Sequence, residues 1–277
     1  MDWSDEAIVL DVGVDGDRRT LTMLTKDHGR CACTVTKPNA KKKEISIGSI
    51  LNITFSGTGL GDTGGASIQS ATTGLPSEDD DLNENSLHSI NGLIEMHIPA
   101  SEPLQDVFVE TKKLLASLAS RDGRWPVHYF RVEFAILDAA GLAPDLKKRS
   151  AAFQRGEQIY VSPRTSKVIS QTEAGAYIGQ CAPVPGFLMG KKSAKHAEIQ
   201  QAAELLNQMM RASDNEADPV ECWPIERQRL IEKLKTVVDI PNEKPKRPPK
   251  TTLTDTDRRR LLMTMRPLSV SVGRSYN

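Results

Sequence analysis

Cysteine, aromatic side chains, long apolar runs and net charge are all scarce in this 277-residue chain, and each shortage narrows its chemistry. The four cysteines are Cys31, Cys33, Cys181 and Cys222. Cys31 and Cys33 would share one face of a strand. No histidine neighbours Cys181 or Cys222, and the set lacks the spacing of a zinc finger or ribbon, so free thiols with no metal and no cofactor are expected. That usage suits a reducing compartment. No apolar stretch reaches the ~18 residues of a membrane helix. No basic segment followed by an apolar run opens the chain, so no signal peptide is expected and the protein reads as cytoplasmic. Lysine and arginine total 36, and so do aspartate and glutamate. Attraction to a polyanion must therefore come from segregated charge.

Catalytic patterns are missing too. The five histidines (His28, His88, His97, His128, His196) form neither H-x-x-x-H nor H-E-x-x-H. There is no G-x-S-x-G elbow. The carboxylates Asp79, Asp80 and Asp81 are consecutive, so they cannot flank a substrate bond from opposite sides. The glycine-rich stretch Gly57 to Gly65 is not followed by Gly-Lys-Ser/Thr and opens no helix, so it reads as a hairpin tip, not a phosphate loop. No catalytic residue is assigned, and a non-enzymatic protein is expected.

What the chain does have is a local concentration of positive charge. Residues 18 to 43 carry eight lysines and arginines: Arg18, Arg19, Lys26, Arg30, Lys37, Lys41, Lys42 and Lys43. The surrounding residues read as strands. Ala7 to Val12 is a β-branched run, Thr20 to Thr25 alternates with period two, and Arg30 to Thr36 is a third strand. Ile45 to Phe55 outlines a fourth, broken at Gly48, and Ala66 to Ala71 a fifth. Lys26-Asp27-His28-Gly29 is a turn. Five short strands with turns every 8 to 12 residues suggest a small barrel. A cationic groove on such a barrel is the footprint of a phosphate-backbone binder, and His28 in the basic turn is placed with the cations. Trp3 and Phe55 are the barrel's aromatics, and both read as core.

The fold class expected is α+β, an N-terminal OB-fold barrel (1–76) followed by a mostly helical domain (84–240) with a small β-hairpin. Helices are predicted over Leu104–Leu118, Pro126–Ala140, Ala194–Ala212 and Pro224–Val238 from apolar residues at helical spacing. Tyr160 to Ser170 reads as the hairpin. From Pro241 the composition turns to proline and basic residues, nine Lys/Arg against three Asp/Glu, predicting a partly disordered tail over 241–277 with a short helix near Asp255–Met265.

Three blocks resemble the bacterial recombination mediator RecO family. The opening Met1 to Val12 and the turn Leu24-Thr25-Lys26-Asp27-His28-Gly29-Arg30 are similar to that family's first strand and its H-G-R turn. Tyr129 to Leu137, with Gly141-Leu142 and Asp145-Leu146, resembles its F-E-x-x-L-L block. Tyr160-Val161-Ser162-Pro163-Arg164, Val168 to Ser170 and Glu173-Ala174-Gly175-Ala176-Tyr177 resemble its Y-V-S-P and E-A-G-x-x-Y patterns, with Pro183, Pro185, Phe187 and Leu188 completing it. The resemblance implies a DNA repair and recombination protein that binds single- and double-stranded DNA and anneals strands. It implies that, with RecR, the protein helps load recombinase where single-strand-binding protein covers the DNA. It also implies that the helical domain docks that protein's acidic C-terminal peptide, for which Arg131, beside Phe130 and Phe134, is the candidate. The chain departs from the pattern in three places. Arg149 and Ser150 stand where many relatives carry a zinc-site cysteine, residues 56–65 differ from the usual charged loop, and the basic tail has no counterpart. A protein-interaction adaptor whose basic tail binds RNA or an acidic partner is the alternative. It predicts DNA affinity that is weak and nearly insensitive to salt.

Overall fold

The computed structural model describes residues 2–15, 18–36, 45–57, 64–72, 75, 80–162, 165–211 and 223–236. Five strands come first: β1 (Asp2–Asp15), β2 (Arg18–Thr25), β3 (Gly29–Thr36), β4 (Ile50–Ser56) and β5 (Gly64–Thr72). They close into a barrel in the order β1-β2-β3-β5-β4, with β4 returning to β1. All pairs are antiparallel except β3 with β5. Five strands closed in this order make the OB-type barrel.

Strand β1 explains its own apolar run. Ala7 and Val9 point into the barrel core, beside Leu21, Met23, Leu51 and Phe55. Ile8 and Leu10, on the opposite face, join the core of the helices. A strand buried on both sides reads as a continuous apolar stretch, not an alternation. A bulge between Val9 and Asp11 shifts the register against β2.

The helical lobe holds α1 (Asp80–His97), α2 (Gln105–Ser120), α3 (Trp125–Ala139), the short α4 (Ser150–Gln154) and α5 (Gln171–Ala174), then α6 (His196–Arg211) and α7 (Ile225–Leu234). Strands β6 (Ile159–Val161), β7 (Val168–Ser170) and β8 (Ala182–Pro183) form a small sheet in the order β7-β6-β8. Helix α3 is central. Val127, Tyr129, Phe130, Val132, Glu133, Ile136 and Leu137 are all buried, more than one apolar stripe would supply. Pro126 starts it, where a missing N–H costs nothing. Among the described residues no helix is long and apolar enough to cross a membrane.

Barrel and helices share one core, in which Ile8, Leu10 and Leu24 pack with residues of α1, α2 and α3. Polar clamps surround that seam. Arg30 Nε donates to Asn91 Oδ1 at 2.7 Å and its Nη2 to Glu95 Oε2 at 2.8 Å. Lys112 Nζ meets Glu6 Oε1 at 2.8 Å, and Gln105 Nε2 donates to Asp27 Oδ1 at 2.8 Å. Gly29 sits at φ +67°, and a Cβ there would lie 1.9 Å from the carbonyl oxygen of Glu102. Only glycine permits both the left-handed backbone and this close approach.

Candidate nucleic-acid interface

Strand β2 carries the described cations at its two ends. Arg18, at its start, is exposed, and the half-buried Arg19 donates from Nη1 to the carbonyl of Ile45 at 3.4 Å. In the ladder Arg18 lies opposite Thr36, the last residue of β3. Lys37, Lys41, Lys42 and Lys43 lie outside the described residues. The residues that flank them, Thr36 and Ile45, both stand beside Arg18 and Arg19.

The other end of β2 is the turn at 26–28, roughly 25 Å away at about 3.3 Å per residue. Lys26 is exposed there. His28 is half-buried, its Nδ1 2.9 Å from Asp5 Oδ2, an oxygen that also accepts the Asp27 backbone N–H at 2.8 Å. Its ring stacks on Trp3, with centroids 4.0 Å apart and planes 8° from parallel, and Trp3 stacks in turn on Phe55 at 4.8 Å and 15°. Arg30, the next cation in sequence, turns away into its clamp on α1. The described side chains thus form two separate cationic stations and not one groove. Eight residues of extended strand hold the stations apart, and the helical lobe claims Arg30.

Inside the barrel the Cys31 thiol is pushed up to about 12, by burial first and then by Cys33 and Asp5, against the opposing charge of Arg30. Burial alone pushes Cys33 up to about 11. Both remain protonated at neutral pH and are poor nucleophiles and poor metal ligands in that form. Cys222 lies outside the described residues. Arg149 donates to Glu173 Oε1 at 2.8 Å, and Glu173 closes a capping box with Ser170 at the start of α5.

In the helical lobe the Arg131 guanidinium is held on one edge. Its Nε and Nη2 donate to the Phe187 carbonyl at 3.2 and 3.0 Å, and Nη2 also reaches the Lys191 carbonyl at 3.0 Å. It fastens α3 to the loop before α6. A notch of about 200 Å³ opens elsewhere, lined by Leu82, Leu118 and Trp125 with Arg121 and Asn83 among its polar groups. Its residues come from α1, from the end of α2, from the α2–α3 turn and from the start of α3, so no local spacing in the sequence announces it. The pairing of Asp5 with His28, 23 positions apart, was equally invisible in the sequence.

A closed OB barrel fused to a helical lobe defines the class of molecule. Residues 86–215 match the family described as Recombination protein O C terminal. The chain is 28% identical over 205 residues to the DNA repair protein RecO of Cereibacter sphaeroides, an overlap covering 73% of this chain and 84% of that protein. It is 28% identical over 206 residues to the DNA repair protein RecO of Roseobacter denitrificans, covering 73% and 85%. Against that of Anaplasma phagocytophilum the figures are 26% over 213 residues, 74% and 84%. Through its helical lobe and over most of its length, the chain is thus similar to the RecO DNA repair proteins.

Proposed function

We propose that this protein is a non-enzymatic recombination mediator. It binds and anneals DNA strands and, with RecR, helps load recombinase on single strands covered by single-strand-binding protein. The observation that carries this reading is the Arg18–Arg19 station, since both ends of the chain segment bearing Lys37 and Lys41 to Lys43 are anchored there. A strand's phosphates would run from that station toward Lys26, releasing counterions as they bind. Binding of this kind carries little sequence preference, because phosphate contacts position a strand without reading it. Annealing follows where one cationic surface neutralises two strands at once.

The test is strand annealing as a function of salt, with and without single-strand-binding protein. The protein should accelerate annealing, less so as salt rises. Replacing Lys41, Lys42 and Lys43 together by alanine should lower the salt slope of DNA binding by up to about 3 units. An unchanged slope would remove that run from the interface, and annealing indifferent to the protein would overturn the mediator reading. Recombinase assembly on covered strands should rise only when RecR is also present.

The acidic C-terminal peptide of single-strand-binding protein is assigned to the notch at Leu82, Leu118 and Trp125, where apolar side chains and a carboxylate would meet an apolar lining and Arg121. Arg131 has Nε and Nη2 engaged by the carbonyls of Phe187 and Lys191. Titrating the peptide should give an isotherm weakened by Arg121→Ala and little changed by Arg131→Ala. The opposite pattern would move the site to Arg131.

A further inference from the structure

We infer that His28 is a stacking platform for an unpaired nucleobase of single-stranded DNA, not a phosphate contact. The inference rests on the DNA-binding reading above and deepens it. Its ring is the outermost of three parallel rings, His28, Trp3 and Phe55, laid one on the next from the β2–β3 turn into the barrel. Phe55 is buried in the barrel core and Trp3 is half-buried between its two neighbours. The His28 side chain keeps 35% of its surface exposed although one face is covered by the indole. The indole takes one face, and among the described residues no ring stacks on the other.

Charge argues against the phosphate role. The carboxylate of Asp5, only 3% exposed, lies 2.9 Å from His28 Nδ1. A protonated imidazole beside it gives a neutral pair, and a neutral imidazole leaves the pair anionic. In neither state does the pair attract a phosphate. The carboxylate holds the ring in one orientation, since it also caps the turn through the Asp27 N–H. A ring held flat, backed by an indole and open on one face is what a base requires of a stacking surface, and such stacking tolerates any base because each has a π face. Exposed Lys26, two residues away, remains to meet the adjoining phosphate. The barrel thereby gains the base contact that its low aromatic content seemed to deny it.

The test compares the full chain's affinity for an oligothymidylate and for a deoxyribose-phosphate strand of equal length without bases, across a range of salt. The wild type should prefer the base-bearing strand by about tenfold. His28→Ala should erase that preference while leaving the abasic affinity and its salt slope unchanged. His28→Phe should retain it, because the ring is kept and only the Asp5 contact is lost. An alanine variant with the wild-type preference would overturn the inference, as would a wild type that does not distinguish the strands. If His28→Ala does not fold, a phenylalanine variant that loses the preference overturns it alone. Failure of the underlying reading looks different: neither strand would bind with a salt-dependent affinity, and the inference would fall with it.

Discussion

The barrel and the helical lobe dispose of their charged groups in opposite ways. The barrel's own core is a small apolar cluster, from Ala7 and Val9 to Ile53 and Phe55, and its cations sit at the ends of β2 or in the seam. The helical lobe buries an ion pair outright. Arg227 Nε and Nη2 donate to the two Glu133 oxygens at 2.7 and 3.1 Å, and both side chains are 1% exposed. The Tyr129 hydroxyl donates to Glu133 at 2.7 Å and lies 2.7 Å from Ser89 Oγ, so α1, α3 and α7 meet in one network. Burial drives the Tyr129 phenol well above its usual range, and the Glu133 charge adds to it. Trp223 covers the guanidinium at 4.9 Å. Charge left at a rim is available to a ligand, whereas charge sealed in a core serves only the fold. The lobe commits the Glu133–Arg227 pair to holding α7 in place, and the barrel keeps Arg18 and Lys26 facing outward.

The sharpest way to break this contrast is at Arg227. Arg227→Met leaves the Glu133 carboxylate buried and unpaired, which should cost about 3–5 kcal/mol. Arg227→Met combined with Glu133→Leu removes both charges and should recover most of that loss, since the desolvation cost disappears along with the attraction. Urea unfolding of the two variants measures the difference. A single variant within about 1 kcal/mol of wild type would show that the pair contributes nothing to the docking of α7. By contrast, the Arg30–Glu95 pair has Glu95 63% exposed, so screening leaves it little net worth, and the apolar contacts of Ile8, Leu10 and Leu24 hold the seam.

The same contrast explains what could be read in advance. Strands β2, β3 and β5 were legible because period-two alternation between turn residues survives into the barrel. Strand β4 was placed too early, from Ile45. Gly48 at φ +79° and a turn in which Ser49 N–H donates to the Ser46 carbonyl delay it to Ile50. Helices α2, α3, α6 and α7 announce themselves by apolar spacing. Helix α1 does not, because its buried face mixes Leu87, Ile90, Leu93 and Ile94 with Ser86 and Ser89, and its start is acidic. Those serines are buried because partners exist, Leu82 O for Ser86 and Tyr129 for Ser89. Of the site, the cations were legible as residue types, but their division between two ends of one strand was not. Nor was the loss of Arg30 to α1, which depends on a contact 61 residues away. The Glu133–Arg227 pair spans 94 residues and lay hidden inside two helices that each looked ordinary.

A smaller effect sharpens the comparison from within the lobe. His128, on α3, has its Nδ1 buried without a hydrogen-bond partner among the described residues. Burial pulls its pKa below the ordinary 6.5, the charges of Arg131 and Arg124 pull the same way, and Glu110 and Asp122 only partly oppose them. The folded protein therefore holds a proton here less readily than the unfolded chain. The stability this lends is present above the ordinary 6.5 and is lost as the pH falls below it through the lower value of the folded protein. His128→Gln cannot titrate, so its stability should decline less than the wild type's between pH 7.5 and 5.5, in urea melts at matched ionic strength. The other four histidines are common to both proteins, so the difference between the two slopes isolates His128. Parallel slopes would mean that water reaches Nδ1 freely. The burial that separates the lobe's polar groups from the barrel's would then stop at Glu133 and Arg227, and the flank of α3 that carries His128 would behave like the barrel rim.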